Sequence, residues 1–359
     1  MQLTSAQDLK AQLLNDVVVP FTRVAAASAR GARSRSRAPG AALARELAVA
    51  SPLAVSATPG ESLPDVQRSV ALGVTLKGKQ YQLAVRVQRQ GLMASPLVEH
   101  LVSQAKGEAD VRMVGRIDKR QIAGPPWNQG KVRPVMIGTS VGHPDVTAGT
   151  VGAFVTAGGK TFILSNNHVL ANENLAKAGD RIVQPGTLDG GKSPKDAVAR
   201  LRKFIALKVP GANFVDAAIA ELDAGVSFDR SLMRGLVGGA DRTLSGLGPA
   251  FVDESTPVFK LGRTTGATEG RVTAFDLDNV VVSYGIGNVR FDDQVEIEGT
   301  GNAPFSDGGD SGSIIVNGDM QAVALLFAGG DTGGTNGLGL TYANPIHRVL
   351  SDLKVTLLF

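Results

Sequence analysis

The sequence predicts a mainly β protein: two antiparallel six-stranded barrels closed by a C-terminal helix, preceded by a small α/β module. Three observations predict this. From Arg133 onward the chain reads as short apolar stretches separated by tight turns. Its 44 glycines stand against 13 Phe, three Tyr and one Trp, a balance suited to short strands and many turns. The stretches also fall into two halves of about six, on either side of a glycine-rich, weakly hydrophobic segment near Asp229 to Pro249.

The elements follow in chain order. Thr4-Ser5-x-x-Asp8, then Leu9, Leu13 and Leu14, reads as a capped amphipathic helix. From about Ala25 to Pro64 the chain is rich in Ala, Arg, Ser and Pro and reads as a linker, so 1–64 is expected to be helix plus linker. Residues 65–122 form a small β-β-α-β module: "SVALGVTL", a turn at Lys77-Gly78, "QYQLAVRVQ", the helical spacing of "PLVEHLVSQAKGE" and the strand "DVRMVGRI". It ends at the breaker "AGPPWNQG". The remainder, 131–359, divides into a first barrel over 135–228, a second over 250–343 and a helix over 344–354. Gly158-Gly159 and Asn317-Gly318 mark hairpins, and Asn344-Pro345 reads as an N-cap with proline at the first helical position.

Charge and composition exclude several functions. The net charge is +4, but Arg23, Arg30, Arg33, Arg35, Arg37 and Arg45 lie in one acid-free tract, and without them the balance is 4 − 6 = −2. The basicity belongs to that tract, and no aromatic residues interleave it for base stacking, so no nucleic-acid partner is expected. With no cysteine there are no disulfides, thiol nucleophiles or thiolate metal sites. No window approaches 18 uncharged apolar residues, and the N-terminus, with Asp8 and Asp16, has no signal-type apolar core. A cytoplasmic protein with no membrane partner and no cofactor is expected. "GGTNGLG", near Gly333 to Gly339, lacks the lysine and the strand–loop–helix setting of a phosphate loop.

The stretch "SDGGDSGSIIV" places Ser311 in Gly309-Asp310-Ser311-Gly312. A serine hydroxyl needs a positioned base, and the base needs an orienting group. Of four histidines, His100 and His347 lie on helical segments and read as surface residues, and His143 in "SVGHPDV" reads as a turn residue. His168 ends the strand "TFILSNNHVL", where a side chain can face a cleft. Asp216 in "FVDAAIAEL" is an acid enclosed by apolar residues, costly to bury without a partner such as an imidazole N–H. Asp196 also follows His168 but sits in a polar loop.

The order His, Asp, Ser, carried by "SNNHV", "VDAAIAEL" and "GDSGS", resembles the trypsin/chymotrypsin superfamily of serine proteases, and "NNHV" is similar to its bacterial HtrA-type branch. The resemblance covers residues 133–359, about 60% of the chain. It implies a serine endopeptidase acting on polypeptides, with Ser311 as nucleophile, His168 as base and Asp216 orienting the imidazole. It further implies an oxyanion hole from the amides of Gly309 and Ser311, and a substrate-binding edge at Phe327-Ala328-Gly329.

Three departures accompany it. Six positions before the serine stands Phe305, which disfavours basic side chains in the substrate pocket. No Ile-Val-Gly-Gly-like start precedes "GTVGAFV", so Asp310 is expected to have internal partners rather than a freshly cut N-terminus. No PDZ-like domain is expected in the 48 residues after Ser311. The N-terminal module is left as a candidate for recruitment or regulation. Alternatives are a catalytically silent binding protein on the same scaffold, a self-processing protease, or an esterase using the same residues.

Overall fold

The computed structural model describes residues 1–29, 41–50, 69–115, 117, 126–250, 253–254 and 256–359. The chain opens with α1 (Leu3–Leu13), capped by Gln2 with no side-chain hydrogen bond, so the expected Thr4/Ser5 cap is not formed. Thr4 and Ser5 instead lie within the first turn. The helix widens into a π-helical turn over Leu14–Val18 and continues as α2 (Val19–Ala29), where Pro20 has no amide to donate. The segment expected to be a linker contains a further helix, α3 (Ala41–Ala50). Alanine and arginine are among the best helix formers, so an Ala/Arg bias that reads as low complexity also favours helix. Residues 25–29 already belong to α2, while residues 30–40 and 51–64, including Arg30, Arg33, Arg35 and Arg37, lie outside the described residues, as do 123–125 of the breaker.

The segment after residue 69 runs β-β-α-β. Strands β1 (Val70–Lys77) and β2 (Gln80–Val87) form a hairpin, α4 (Pro96–Gln104) crosses over, and β3 (Ala109–Met113) returns parallel to β2. Ser95 caps α4 by accepting from the Val98 amide, with Pro96 at the first position. Leu13, Val17 and Phe21 from the helices, Leu47 from α3, and Leu72, Leu83, Val85 and Leu101 from the module share one apolar cluster.

The first barrel is built from β4 (Ala153–Ala157), β5 (Lys160–Ser165), the single-turn helix α5 (Asn167–Leu170), β6 (Arg181–Val183), β7 (Ala197–Phe204) and β8 (Ala218–Leu222). Gly158 and Gly159, at φ +56° and +74°, supply the hairpin turn between β4 and β5. The glycine-rich segment between the halves is itself a small hairpin, Leu232–Val237 against Ala240–Thr243, and not an unstructured separator.

The second barrel contains β9 (Pro257–Gly262), β10 (Gly266–Asp278), the hairpin β11 (Val280–Tyr284) and β12 (Gly287–Phe291), then β13 (Gln294–Gly299), β14 (Ile314–Asn317), β15 (Gln321–Gly329) and β16 (Leu340–Pro345). It closes in the order β9-β14-β15-β16-β13-β10, because β10 also pairs with β9. Asn344 and Pro345 end β16, and Pro345 rather than Asn344 is the N-cap of α6 (Ile346–Leu353), with no side-chain cap bond. Its Ile346, Val349, Leu350 and Leu353, at helical spacing, pack onto the main core. A last strand, β17 (Thr356–Leu357), pairs with β4 and completes the first six-stranded sheet, β17-β4-β5-β8-β7-β6.

One strand joins the N-terminal module to the second barrel. The far end of the 13-residue β10 pairs with β1, Leu72 opposite Asp278 and Val74 opposite Phe275, so the barrel sheet runs on into the module. Buried charges fasten the seam. Lys10 Nζ lies 2.8 Å from Asp276 and 2.9 Å from Asp278. Arg86 Nε lies 2.7 Å from Glu296 Oε1, with both side chains out of solvent. Arg86 also donates to the carbonyls of Asp110 and Thr273.

Removing one partner of a buried, hydrogen-bonded ion pair leaves a bare charge, at a cost of about 3–5 kcal/mol. Arg86→Met should therefore destabilise the protein by about that amount, and Arg86→Met/Glu296→Leu by clearly less. Chemical denaturation of both variants checks this, and equal losses would contradict it. Asp293 is pushed up to about 6, by burial first and by Asp276 and Asp278 next. The folded chain thus holds this proton more tightly than the unfolded one, so the group's contribution to stability rises as pH falls through about 6 toward 4. Asp293→Asn should raise Tm at pH 7 and lose that advantage by pH 4; a constant gap across the range would contradict it.

Candidate active site

The end of β5 leads into Asn166-Asn167-His168, and the two asparagines set the turn. Asn166 donates to the Asp216 carbonyl at 2.7 Å, and Asn167 donates to the Ile205 carbonyl at 2.8 Å. These bonds hold α5 against the segment that enters β8, which is where Asp216 sits. His168 Nδ1 lies 2.5 Å from Asp216 Oδ2, and the His168 amide donates to Oδ1 at 3.3 Å. Asp216 has no exposed surface and His168 is 7% exposed. Burial pushes the Asp216 carboxyl up, but the His168 charge and the hydrogen bonds from His168 and Tyr284 outweigh it and hold it below the ordinary range. The backbone of Asp216 is fixed as well, its amide donating to Asn344 Oδ1 at 2.9 Å.

Ser311 lies across from this couple, on the loop entering β14. Its carbonyl accepts from the Thr150 amide at 2.8 Å, while the Thr150 carbonyl accepts from Ser165 Oγ at 2.8 Å, so the loop is tied directly to the end of β5. A side chain on Gly149 would meet both the methyls of Val169, next to His168, and the Ser311 carbonyl. Ser311 is 6% exposed, and among the described residues no hydrogen bond joins its hydroxyl to the imidazole. The structure therefore brings His168 and Asp216 into contact and ties the backbone of Ser311 to Thr150, which also bonds Ser165.

The loop around Ser311 has a distinctive hydrogen-bond inventory. The amides of Asp307, Gly308, Asp310, Gly312 and Ser313 all donate within the protein. Among the described residues, those of Gly309 and Ser311 have no protein acceptor. Gly309 sits at φ +92°, the left-handed region, where a side chain would also collide with Thr264 Oγ1.

The conformation of this loop is anchored by Asp310, whose carboxylate has internal partners throughout. It accepts from the amides of Thr264 (2.7 Å), Thr265 (3.1 Å) and Asp307 (3.0 Å) and from the Thr265 hydroxyl (2.6 Å). Lys260 Nζ lies 3.0 Å away, both side chains being fully buried. Burial lowers the Lys260 ammonium below its ordinary range, only partly offset by Asp310. Arg263 spans the two halves beside the loop, bonding to Asp189 through Nε at 2.8 Å and through Nη2.

The other residues singled out in the sequence fall elsewhere. Phe305 is packed inside the second barrel among Val272, Ile297 and Leu326, with Lys260 Nζ 5.9 Å from its ring centre. Phe327 and Ala328 belong to an apolar cluster with Tyr284, Phe291, Leu340 and Ile117. Along Phe327-Ala328-Gly329, β15 keeps β16 as a neighbour on one side, while its pairing with β14 ends at Leu325. His143 pairs with Asp180 at 3.4 Å, His347 with the Gly248 carbonyl at 2.8 Å, and Asp196 with Lys131 at 2.9 Å. The "GGTNGLG" loop wraps a carboxylate of the protein itself: Glu298 Oε1 accepts from Asn336 and Thr335. Among the described residues no cluster of three or more His, Asp or Glu could hold a metal, and no helix is long and apolar enough to cross a membrane.

Sequence reasoning missed the roles of three residues here: Lys260, Asn344 and Tyr284, the last of which donates to Asp216. Lys260 alone left a sign, as a lysine in the otherwise apolar strand "TPVFKLGR".

The architecture is a six-stranded antiparallel sheet beside a second six-stranded ring of strands that runs on into the N-terminal module. No family model and no curated protein sequence matches the chain. Among solved structures it is similar to protease A of Thermobifida fusca, at 19% identity over 62% of this chain and 98% of that one, with a TM-score of 0.44. It is also similar to a glutamic-acid-specific serine protease described as using a histidine triad in substrate binding, at 24% identity over 62% and 100% of the two chains and a TM-score of 0.46. A third is an HtrA-type protease with a decapeptide, at 16% identity over 58% and 51% and a TM-score of 0.33.

The Lys260–Asp310 pair yields a direct expectation. Lys260→Met leaves a buried carboxylate without its cation and should cost about 3–5 kcal/mol of stability, whereas Lys260→Arg, which keeps the charge, should cost less. Denaturant titration separates the two, and wild-type stability in Lys260→Met would contradict the role given to this pair.

Proposed function

We propose that the chain is a serine endopeptidase in which Ser311 attacks the scissile carbonyl. His168 takes the hydroxyl proton and returns it to the leaving amine, while Asp216 keeps the imidazole in the tautomer that can accept at Nε2. The amides of Gly309 and Ser311 receive the negative charge that develops on the carbonyl oxygen. One observation carries this reading. A buried Asp216–His168 couple is linked through Ser165 and Thr150 to a loop in which, among the described residues, the amides of Gly309 and Ser311 are the ones left without protein acceptors. The separation of hydroxyl and imidazole does not count against it, because catalytic hydrogen bonds in substrate-free sites are often long and tighten on binding.

The stretch Phe327-Ala328-Gly329, which lies beyond the pairing of β15 with β14, is where an extended polypeptide would add as a strand. Because Lys260 already supplies the cation for Asp310, no newly cut N-terminus is needed to order the loop.

Turnover of a peptide library tests the reading. Ser311→Ala and His168→Ala should each lose on the order of 10⁶ in kcat and Asp216→Ala roughly 10⁴. The rate should also fall on the acid side as the imidazole protonates. Peptidase activity surviving in Ser311→Ala, or starting only after cleavage near residues 134–137, would contradict the scheme.

A further inference from the structure

We propose that Tyr284 is a positioning residue for this site: its hydroxyl holds the Asp216 carboxylate in the orientation that fixes the imidazole, an inference that rests on the triad reading above. The Tyr284 hydroxyl donates to Asp216 Oδ2 at 2.6 Å, the same oxygen that the imidazole meets at 2.5 Å. The other carboxylate oxygen has only the His168 amide, at 3.3 Å. Asparagines 166 and 344 fasten the backbone of Asp216 and leave its carboxylate alone. Among the described residues, Tyr284 is thus the one donor, besides His168 itself, that fixes the plane of a carboxylate with no exposed surface.

The ring is placed for this task. It meets the imidazole edge-on, 5.7 Å between centres at 75°, and leans on Phe291 at 6.0 Å, which in turn packs on Phe327 at 4.6 Å. The alternatives nearby, Phe327 and Ala328, have no polar group to offer. The hairpin that carries Tyr284 is pinned from three sides. Asn213 donates to the Arg290 carbonyl at 3.1 Å, Glu173 accepts from the Ile286 amide at 3.1 Å, and the Ser283 amide meets the Ile117 carbonyl at 3.4 Å. The charged or titratable groups acting on the phenol are Asp216, His168 and, more remotely, Glu173. Burial first and Asp216 next push its pKa well above the ordinary value, so the hydroxyl stays protonated and remains a donor.

The direction of the effect follows. The Tyr284 hydrogen bond disperses part of the Asp216 charge. Without it the carboxylate stabilises an adjacent imidazolium more strongly, and its own orientation loosens. In the full-length protein, Tyr284→Phe should move the acid limb of the kcat/KM profile upward. It should also reduce kcat roughly three- to tenfold with KM little changed. A profile and kcat that superimpose on wild type would overturn the proposal.

Two further arms keep the test decisive. In a Ser311→Ala background, where turnover is not needed, adding Tyr284→Phe should shift the far-downfield NMR resonance of the imidazole Nδ1 proton, assigned by its loss in His168→Gln. An unchanged resonance overturns the role of Tyr284. A shifted resonance in a chain that cleaves nothing upholds it and sinks only the peptidase reading. If Tyr284→Phe fails to fold, 3-fluorotyrosine at position 284, a stronger donor of the same shape, should displace the resonance the opposite way; no displacement overturns the proposal.

Discussion

The structure around the site turns on one buried charge. Asp216 has no contact with solvent, and an unpaired carboxylate in such a place would cost several kcal/mol. Its partners come from distant parts of the chain: His168 from the first barrel, 48 residues before it, and Tyr284 from the second, 68 residues after it. Asn344, a further 60 residues on, fixes its amide. Satisfying this carboxylate therefore registers the two barrels against each other, and the cleft geometry follows from that registration.

A second buried charge repeats the logic on the opposite wall. Asp310 is surrounded by three amides, a hydroxyl and Lys260, and in the loop so held the Gly309 and Ser311 amides are the ones without an acceptor among the described residues. Each wall of the cleft is thus held by a carboxylate whose hydrogen bonds are met internally. Reorganisation in such a site is small, which is the condition under which fixed dipoles act most strongly on a developing charge. The N-terminal module is joined to the same body through β1, with Arg86 and Lys10 as its charged anchors.

Much of this was legible in the sequence, for identifiable reasons. Period-two apolar stretches with Gly158-Gly159 between them announce a hairpin because turn chemistry and strand patterning are both local. His168 and Asp216 stood out because each breaks its surroundings, a histidine at a strand end and an acid among apolar residues. What escaped was long-range or ambiguous. Tyr284 in "VVVSYG" reads as an ordinary strand aromatic, since nothing local says where its hydroxyl will land. Asn344-Pro345 has the composition of a helix cap, yet tertiary pairing with Ala324 and Leu325 extends the strand through it. Alanine-rich α3 was hidden by a composition shared by linkers and helices.

The central claim is that Ser311 is made nucleophilic by His168 under the control of Asp216. Covalent labelling with a fluorophosphonate, mapped by peptide mass spectrometry, tests it most directly, because it needs no knowledge of the substrate. The account predicts a single adduct on Ser311, lost in His168→Ala. An unlabelled protein, or label equally present on other serines, would contradict it.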